Sequence, residues 1–537
     1  MLNVYRLAGV ILGVMCGQFA HSQTLPGIST PEVNAGIVFE TSADSVFAWY
    51  KNTTIDTVVF GSPRLFPFRG DTVHSVRWER NWVAAGDSVR VWVKVKPIHN
   101  MVHQLPIFLP HSDPMGTESL VVTFQGRYSQ SYYSSTENLE EAALRTALKN
   151  KISSNTTAFS YNTARDHMYG SIDNVAGQVE CVYTGRIATF NTRAGATANN
   201  FNCEHTFPQG FFNSASPMVS DLHHLFSTDE TANSQRGNMP FGMVSGSVLW
   251  QNGGSKKGTS VFEPRNVHKG AVARAMLYFV LRHQDYASHF SPQEAILRTW
   301  HDQYPPVTKD INRNNAIYSL QGNRNPFTDY PAFLSRITHM LGTTTTTPVH
   351  QLALSDDSLV MVFSPTSSLV RYKRFSIANT GNQPLLFSNF NVSAASIALV
   401  QGGGSVTLAP GKIHEVLLSY PAGVDFSQHA LTFSSSHPTR PTLVIPLHGK
   451  VALSHGEDHP GGLRWSVRSG SIAVWNAGEP SSQTLSLHNV LGQCLLSATL
   501  HEDHRSPTTA WQSPVLPSGI YYLHTSQNKS TVTLAIP

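Results

Sequence analysis

The sequence predicts a multidomain protein in which a mixed α and β domain is flanked by β-sandwich domains. Three observations lead there. At 537 residues the chain exceeds one ordinary core, since a domain takes roughly 100 to 200 residues. Short strand-like runs separated by Gly, Asp, Asn and Pro occur in two separate stretches. Between those stretches the apolar period changes from two to about 3.6, the repeat of a helix.

The first residues, MLNVYRLAGVILGVMCGQFAHSQ, place Arg6 before an apolar run from Leu7 to Met15, followed by the small residues Ala20 and Ser22. This order predicts a signal peptide over residues 1–22. The run is far shorter than the roughly 20 residues a membrane-spanning helix requires, and no later segment is apolar enough, so no membrane span is expected. Cys16 suits a lipoprotein poorly, because Val14 and Met15 stand where small residues are needed. The mature chain is therefore expected outside the cytoplasm. Of its three cysteines, Cys181 and Cys203 fall in one region and are the natural disulfide, with Cys494 a small buried strand residue. The alternative is that all three are free and buried.

Residues 26–126 contain SVFAWY, TVVF and SVRVWVKV, and read as a β-sandwich. Residues 351–453 repeat the pattern: AGDSVRVWVKVKP answers to APGKIHEVLLSYP, and SLVVTFQGR to TLVIPLHGK. The repeat resembles immunoglobulin-like modules of the ASPM, SPD-2 and Hydin type, which says much about fold and little about function.

Residues 128–343 form the mixed domain. ENLEEAALRTALKNKI puts Leu139, Ala143, Leu144, Ala147 and Leu148 on one helical face, with Thr136 a candidate cap. HKGAVARAMLYFVLRHQ is apolar nearly all round and should be buried. Five residues from Thr343 to Thr347, before Pro348, make a threonine linker. Residues 462–537 contain Leu491-Gly492-Gln493 and Gly519-Ile520-Tyr521, which resemble the recurring parts of the type IX secretion C-terminal sorting domain; the basic residues usual near the terminus are missing from LAIP. Without that resemblance the segment reads as a small β-domain.

Charged residues make up only 13% of the chain, against roughly 25% in typical soluble proteins, which argues against long solvated helices and disorder. A formal charge of +4 permits contact with an anionic polymer without identifying one.

The chemistry concentrates in NFNCEHTFPQGFFNSASPMVSDLHHLFSTDETANSQRGNMPFG, residues 200–242. Adjacent Glu204 and His205 suit metal-assisted hydrolysis, although an isolated Glu-His pair is more often a surface acid beside a core imidazole. A strand would send the two side chains to opposite faces, whereas a turn or strand end aims both at one site. Asn233 taken alone reads as a cap or turn residue.

The order of the surrounding blocks resembles the endonuclease I family of His-Me finger (ββα-metal) nucleases. Glu204-His205-x-x-Pro208, Ser220-Asp221-Leu222-His223-His224-Leu225, Asn233-x-x-Arg236-Gly237-Asn238, Glu263-Pro264 with Lys269-Gly270-x-x-Ala273-Arg274, and Gln321-Gly322-Asn323-Arg324-Asn325-Pro326-Phe327 follow the family's sequence of motifs. The resemblance covers the central domain only. It implies a secreted endonuclease that hydrolyses phosphodiester bonds of DNA, and RNA, without reading sequence. By it His205 is the general base, and Glu204 and Asn233 hold one magnesium ion per site, with manganese or calcium as substitutes. Arg236 and Arg274 either contact phosphate or pin Asp221 and Glu263; His223 and His224 are structural, since magnesium prefers oxygen.

One departure stands out. Family members with a long insertion after Glu-His-x-x-Pro carry there an arginine that holds the cleaved phosphate, but QGFFNSASPMV is short and uncharged, which leaves Arg186, Arg193 and Arg265 as candidates. Lys256, Lys257, Arg265 and Lys269 offer modest contacts to a nucleic-acid backbone. Neither a base-reading helix nor an aromatic stacking sheet is recognisable, and Phe207, Phe211 and Phe212 read as core. The competing reading is a cell-surface binding protein with an inactive nuclease-like domain. A zinc phosphoesterase lacks its paired-histidine motif. The C-terminal domain would contact the cell surface or the secretion machinery.

Overall fold

The structure, a computed structural model, describes residues 25–66, 73–283, 286–342, 345–363, 370–421 and 429–451, together with the segments 463–468, 471–476, 483–489, 493–500, 511–512, 519–525 and 531–536. The expected leader at 1–22 and the Leu491-Gly492 turn lie outside the described residues.

Alternation builds the N-terminal region. In strand Ser88–Val95 every second residue is valine, and Val89, Val91, Val93 and Val95 are fully buried. That strand lies third in a four-stranded sheet, between Asp44–Lys51 and Val73–Trp78. Its inner face packs through Val91, Val93 and Val95 on Leu105, Ile107, Leu120, Val122 and Phe124 of a second sheet. There Glu32–Phe39 runs parallel to Glu118–Arg127. The later stretch repeats the plan: Leu359–Phe363 runs parallel to Thr442–Val451, and Ile413–Tyr420 takes the third place in its own four-stranded sheet. The two regions touch through a buried Arg374–Glu118 ion pair and a Lys412–Glu32 contact of 2.7 Å.

Between them the central region shares one apolar core. Helix Asn266–Arg282 runs through it with fourteen of seventeen residues buried, as its all-round apolar sequence requires. Gly270 is where this helix meets the Tyr304 backbone, and a Cβ there would come within 2.1 Å of the Tyr304 carbonyl oxygen. Helix Glu141–Ser153 buries Glu141, Leu144, Arg145, Leu148 and Ile152. Ala143 is exposed, so the apolar face is rotated from the one expected. Thr136 is no cap: its hydroxyl donates to the Tyr133 carbonyl and the N-cap is Glu140. The boundary with the N-terminal sheets is bonded rather than open, since Arg336 donates to the Asn100 side chain at 2.5 Å and Ser129 to Glu40.

The C-terminal strands form a three-stranded and a four-stranded sheet, and Gly519-Ile520-Tyr521 begins strand Gly519–Thr525. Cys494, expected to be buried, is exposed at the start of strand Cys494–Leu500. Among the described residues no helix is long and apolar enough to cross a membrane.

Candidate active site

Strand Phe201–His205 pairs antiparallel with Leu225–Asp229, and helix Glu230–Arg236 follows directly. Asp229 makes that junction, accepting from the backbone amides of Thr231 and Ala232 as N-cap. The ribbon and helix carry Glu204, His205, Asn233 and Arg236. As strand geometry demands, Glu204 and His205 leave opposite sides of the strand; at its end a single buried guanidinium spans both. Arg236 lies 3.1 Å from Glu204 Oε1, donates to the His205 carbonyl at 2.9 Å, and donates to the Thr206 carbonyl.

Glu204 is buried and accepts a 2.6 Å bond from the Tyr183 hydroxyl on Oε1. Burial pushes its carboxyl up, against the opposing pull of Arg236 and the Tyr183 bond. Both contacts engage Oε1, and Oε2 has no donor among the described residues. Asn233 donates to Asn202 Oδ1 at 2.8 Å and to the Cys203 carbonyl at 3.3 Å. A carbonyl only accepts, so the amide nitrogen must face it, and Oδ1 points away with no donor among the described residues. The region thus holds two uncommitted oxygens, one carboxylate and one amide. Such a donor set fits a hard cation that keeps most of its waters. Among the described residues no group of three or more His, Cys, Asp or Glu is placed to cage a metal.

On the other side, His205 Nε2 sits 3.0 Å from the Val219 carbonyl. That contact makes Nε2 the protonated nitrogen and leaves the Nδ1 lone pair free. Burial lowers its pKa to about 4, with Arg236 and Arg165 adding to the effect. Its ring neighbours those of Tyr161, at 5.4 Å, and His224, at 5.6 Å.

The remaining motif residues hold this frame together. Asp221 is fully enclosed by Arg282, His283, Tyr278 and Gln321; burial pushes its carboxyl up, but Arg282 and His283 outweigh that and keep it well below the usual range. Gln321 also accepts from the Leu222 amide. His223 contacts the Asn323 carbonyl and His224 the Met218 carbonyl, at 3.1 and 2.7 Å, so both are structural.

Several expectations change. Arg274 pins neither Asp221 nor Glu263; it pairs with Asp310 at 2.9 Å and donates to the Tyr304 carbonyl, while Lys269 holds Glu263. Arg236 likewise pins neither acid, and serves Glu204 instead. Lys269, buried in its ion pair, is withdrawn from any ligand. The three candidate cations are committed too: Arg186 to Asp229, Arg193 to Asp166 and Arg265 to Glu180. Cys181 and Cys203 are free thiols, contrary to the expected disulfide. They sit on opposite faces of the ribbon, Cys181 against Thr228 and the Asp229 amide, Cys203 pairing with Ser227 and facing Met168.

The residue the sequence did not disclose is Arg165. Its guanidinium lies 4.4 Å from the Tyr161 ring centre, on the ring that flanks His205. Its Nη2 donates to Asn162, its Nε is buried without a partner, and it has no ion pair among the described residues. Only its place on helix Tyr161–His167, forty residues before His205, brings it there.

Residues 141–332 match the family model described as Endonuclease I. The extracellular ribonuclease of Bacillus amyloliquefaciens is 29% identical over 241 residues, covering 41% of this chain and 82% of that protein. The extracellular ribonuclease of Bacillus subtilis (strain 168) is 28% identical over 250 residues, covering 42% and 86%. An extracellular deoxyribonuclease of Aeromonas hydrophila is 33% identical over 116 residues, covering 20% and 49%. The motif blocks that frame the buried Asp221 and the Glu204–His205 strand end fall inside the matched span, and the chain carries an Endonuclease I family domain over residues 141–332.

Proposed function

We propose that this protein is an extracellular, magnesium-dependent endonuclease that hydrolyses phosphodiester bonds of DNA and RNA without reading sequence, through a His-Me finger site. One observation carries the reading: His205 presents a neutral imidazole with Nε2 fixed on the Val219 carbonyl and Nδ1 free, and the same ribbon and helix carry the uncommitted oxygens of Glu204 and Asn233. Relatives named as ribonucleases and as a deoxyribonuclease support a substrate class wider than one sugar.

His205 Nδ1 takes the proton of the attacking water, and the Val219 carbonyl stabilises the imidazolium that results. Glu204 Oε2 and Asn233 Oδ1 would hold one divalent cation, and when bound it supplies positive charge at the phosphate and the leaving oxygen. Arg236 neutralises Glu204 and fixes the strand end rather than meeting substrate. Arg165 is the cation for the phosphate, in place of Arg274 and of the committed Arg186, Arg193 and Arg265.

The leader expected from the sequence at 1–22 and the extracellular relatives support export. The paired sheets at either side are proposed as immunoglobulin-like modules, and the C-terminal strands as a type IX sorting domain contacting the secretion machinery or cell surface. A plasmid-nicking assay tests the function: cleavage with added magnesium that chelator abolishes is expected, and a folded protein that never nicks sinks it in favour of an inactive binding protein.

A further inference from the structure

The outer face of the N-terminal sheet is unusually aromatic. Strand alternation sends Val46, Ala48 and Tyr50 inward and Phe47 and Trp49 outward, and both remain about two-fifths exposed, at 40% and 42%. Register sets Trp92 opposite Phe47 and Arg90 opposite Trp49. Phe47 and Trp92 meet with ring centres 4.9 Å apart, and Phe47 and Trp49 at 6.1 Å edge to face. The Arg90 guanidinium lies 5.1 to 5.7 Å from all three ring centres and is clamped by Glu79. Arg77 pairs with Trp92 on the next strand and Lys94 lies two residues along, both exposed.

We infer that this face is a second nucleic-acid surface, binding single-stranded DNA or RNA by stacking unpaired bases on Phe47, Trp49 and Trp92 and contacting phosphates through Arg77 and Lys94. The inference rests on the reading of the central domain as acting on nucleic acid. Charge selects the ligand class. The face carries Arg77, Arg90 and Lys94 against Glu79, whose carboxylate Arg90 already occupies, so it favours a polyanion over a neutral glycan. Exposed rings favour a single strand, because in a duplex the base faces are already stacked. Arg90 and the cross-strand contacts hold the rings in place before a ligand arrives, which lowers the ordering cost of binding. The cluster escapes a linear reading because Phe47 and Trp49 lie more than forty residues before their partners Trp92 and Arg90.

The test uses the full-length protein and a fluorescent oligo(dT), with chelator present to block cleavage, read by anisotropy. Replacing Phe47→Ala and Trp49→Ala together should weaken binding about 5- to 160-fold for each base stack lost. Arg77→Glu with Lys94→Glu should also weaken it and flatten the salt dependence by about 1.4 in log-log slope, from two lost phosphate contacts. Hydrolysis of the small diester bis(p-nitrophenyl) phosphate should be unchanged in both. If both variants melt like the parent and bind oligo(dT) with parental affinity, the inference is overturned. Binding of a neutral glucan, or of duplex in preference to single strand, overturns it as well. Should the aromatic variant not fold, the charge variant decides alone, since both its positions are exposed. A parent that never cleaves yet loses oligo(dT) affinity on Phe47→Ala/Trp49→Ala sinks the nuclease reading and leaves this one standing.

Discussion

His205 Nε2 rests 3.0 Å from the carbonyl oxygen of Val219, and this one contact decides which ring nitrogen is free to accept a proton. His205→Ala should lose roughly 100- to 10,000-fold in cleavage rate, the usual span for general-base catalysis, with the magnesium requirement unchanged. Added imidazole should restore part of the rate. A variant cutting at the parental rate removes His205 from the mechanism.

Glu204→Ala and Asn233→Ala should behave differently, because each deletes an oxygen ligand rather than a proton acceptor. Activity should shift to higher magnesium and resist imidazole. Magnesium titrations of plasmid nicking separate the two classes, and a rate loss insensitive to magnesium in both variants would disprove the ligand assignment.

Arg236 is almost fully buried and is Glu204's ion-pair partner at 3.1 Å. Arg236→Met leaves an uncompensated buried carboxylate and should cost about 3 to 5 kcal/mol, measured by urea unfolding of the apo protein. A loss well below about 1 kcal/mol would mean that Glu204 finds compensation elsewhere.

Acid should destabilise the central domain. Burial lowers His205, His223, His289 and His301 from 6.5 to about 4, and His224 to about 3. Each therefore binds fewer protons folded than unfolded between these values, so stability rises with pH there. The contribution is complete above about 6.5 and is lost as pH falls toward 4 and below, on the order of 3 kcal/mol for one fully buried imidazole. Unfolding midpoints that stay flat between pH 7 and 4 would contradict it.

Cys181 and Cys203 should both titrate as free thiols once the protein is denatured without reductant, and neither should react in the native fold, where both are buried. An intact mass lower by one disulfide would show that the ribbon rearranges on export.

Local pattern and motif order are legible in the linear chain. Alternating valines in SVRVWVKV specify a strand with one buried face. The all-round apolar 266–282 segment specifies a core helix, and the ordered blocks from Glu204 to Phe327 specify the Endonuclease I domain. Folding assigns the partners, because a charge pairs with whatever lies beside it in space rather than along the chain. It gave Asp221 to Arg282 and His283, Arg274 to Asp310 and Arg236 to Glu204. It also turned Cys181 and Cys203 to opposite faces of one ribbon, since strand alternation outweighs closeness in the chain. The Tyr161 ring that carries Arg165 beside His205, and Trp92 opposite Phe47, are contacts between distant segments; burial and cross-strand register create them, and neither leaves a mark in a single stretch of sequence.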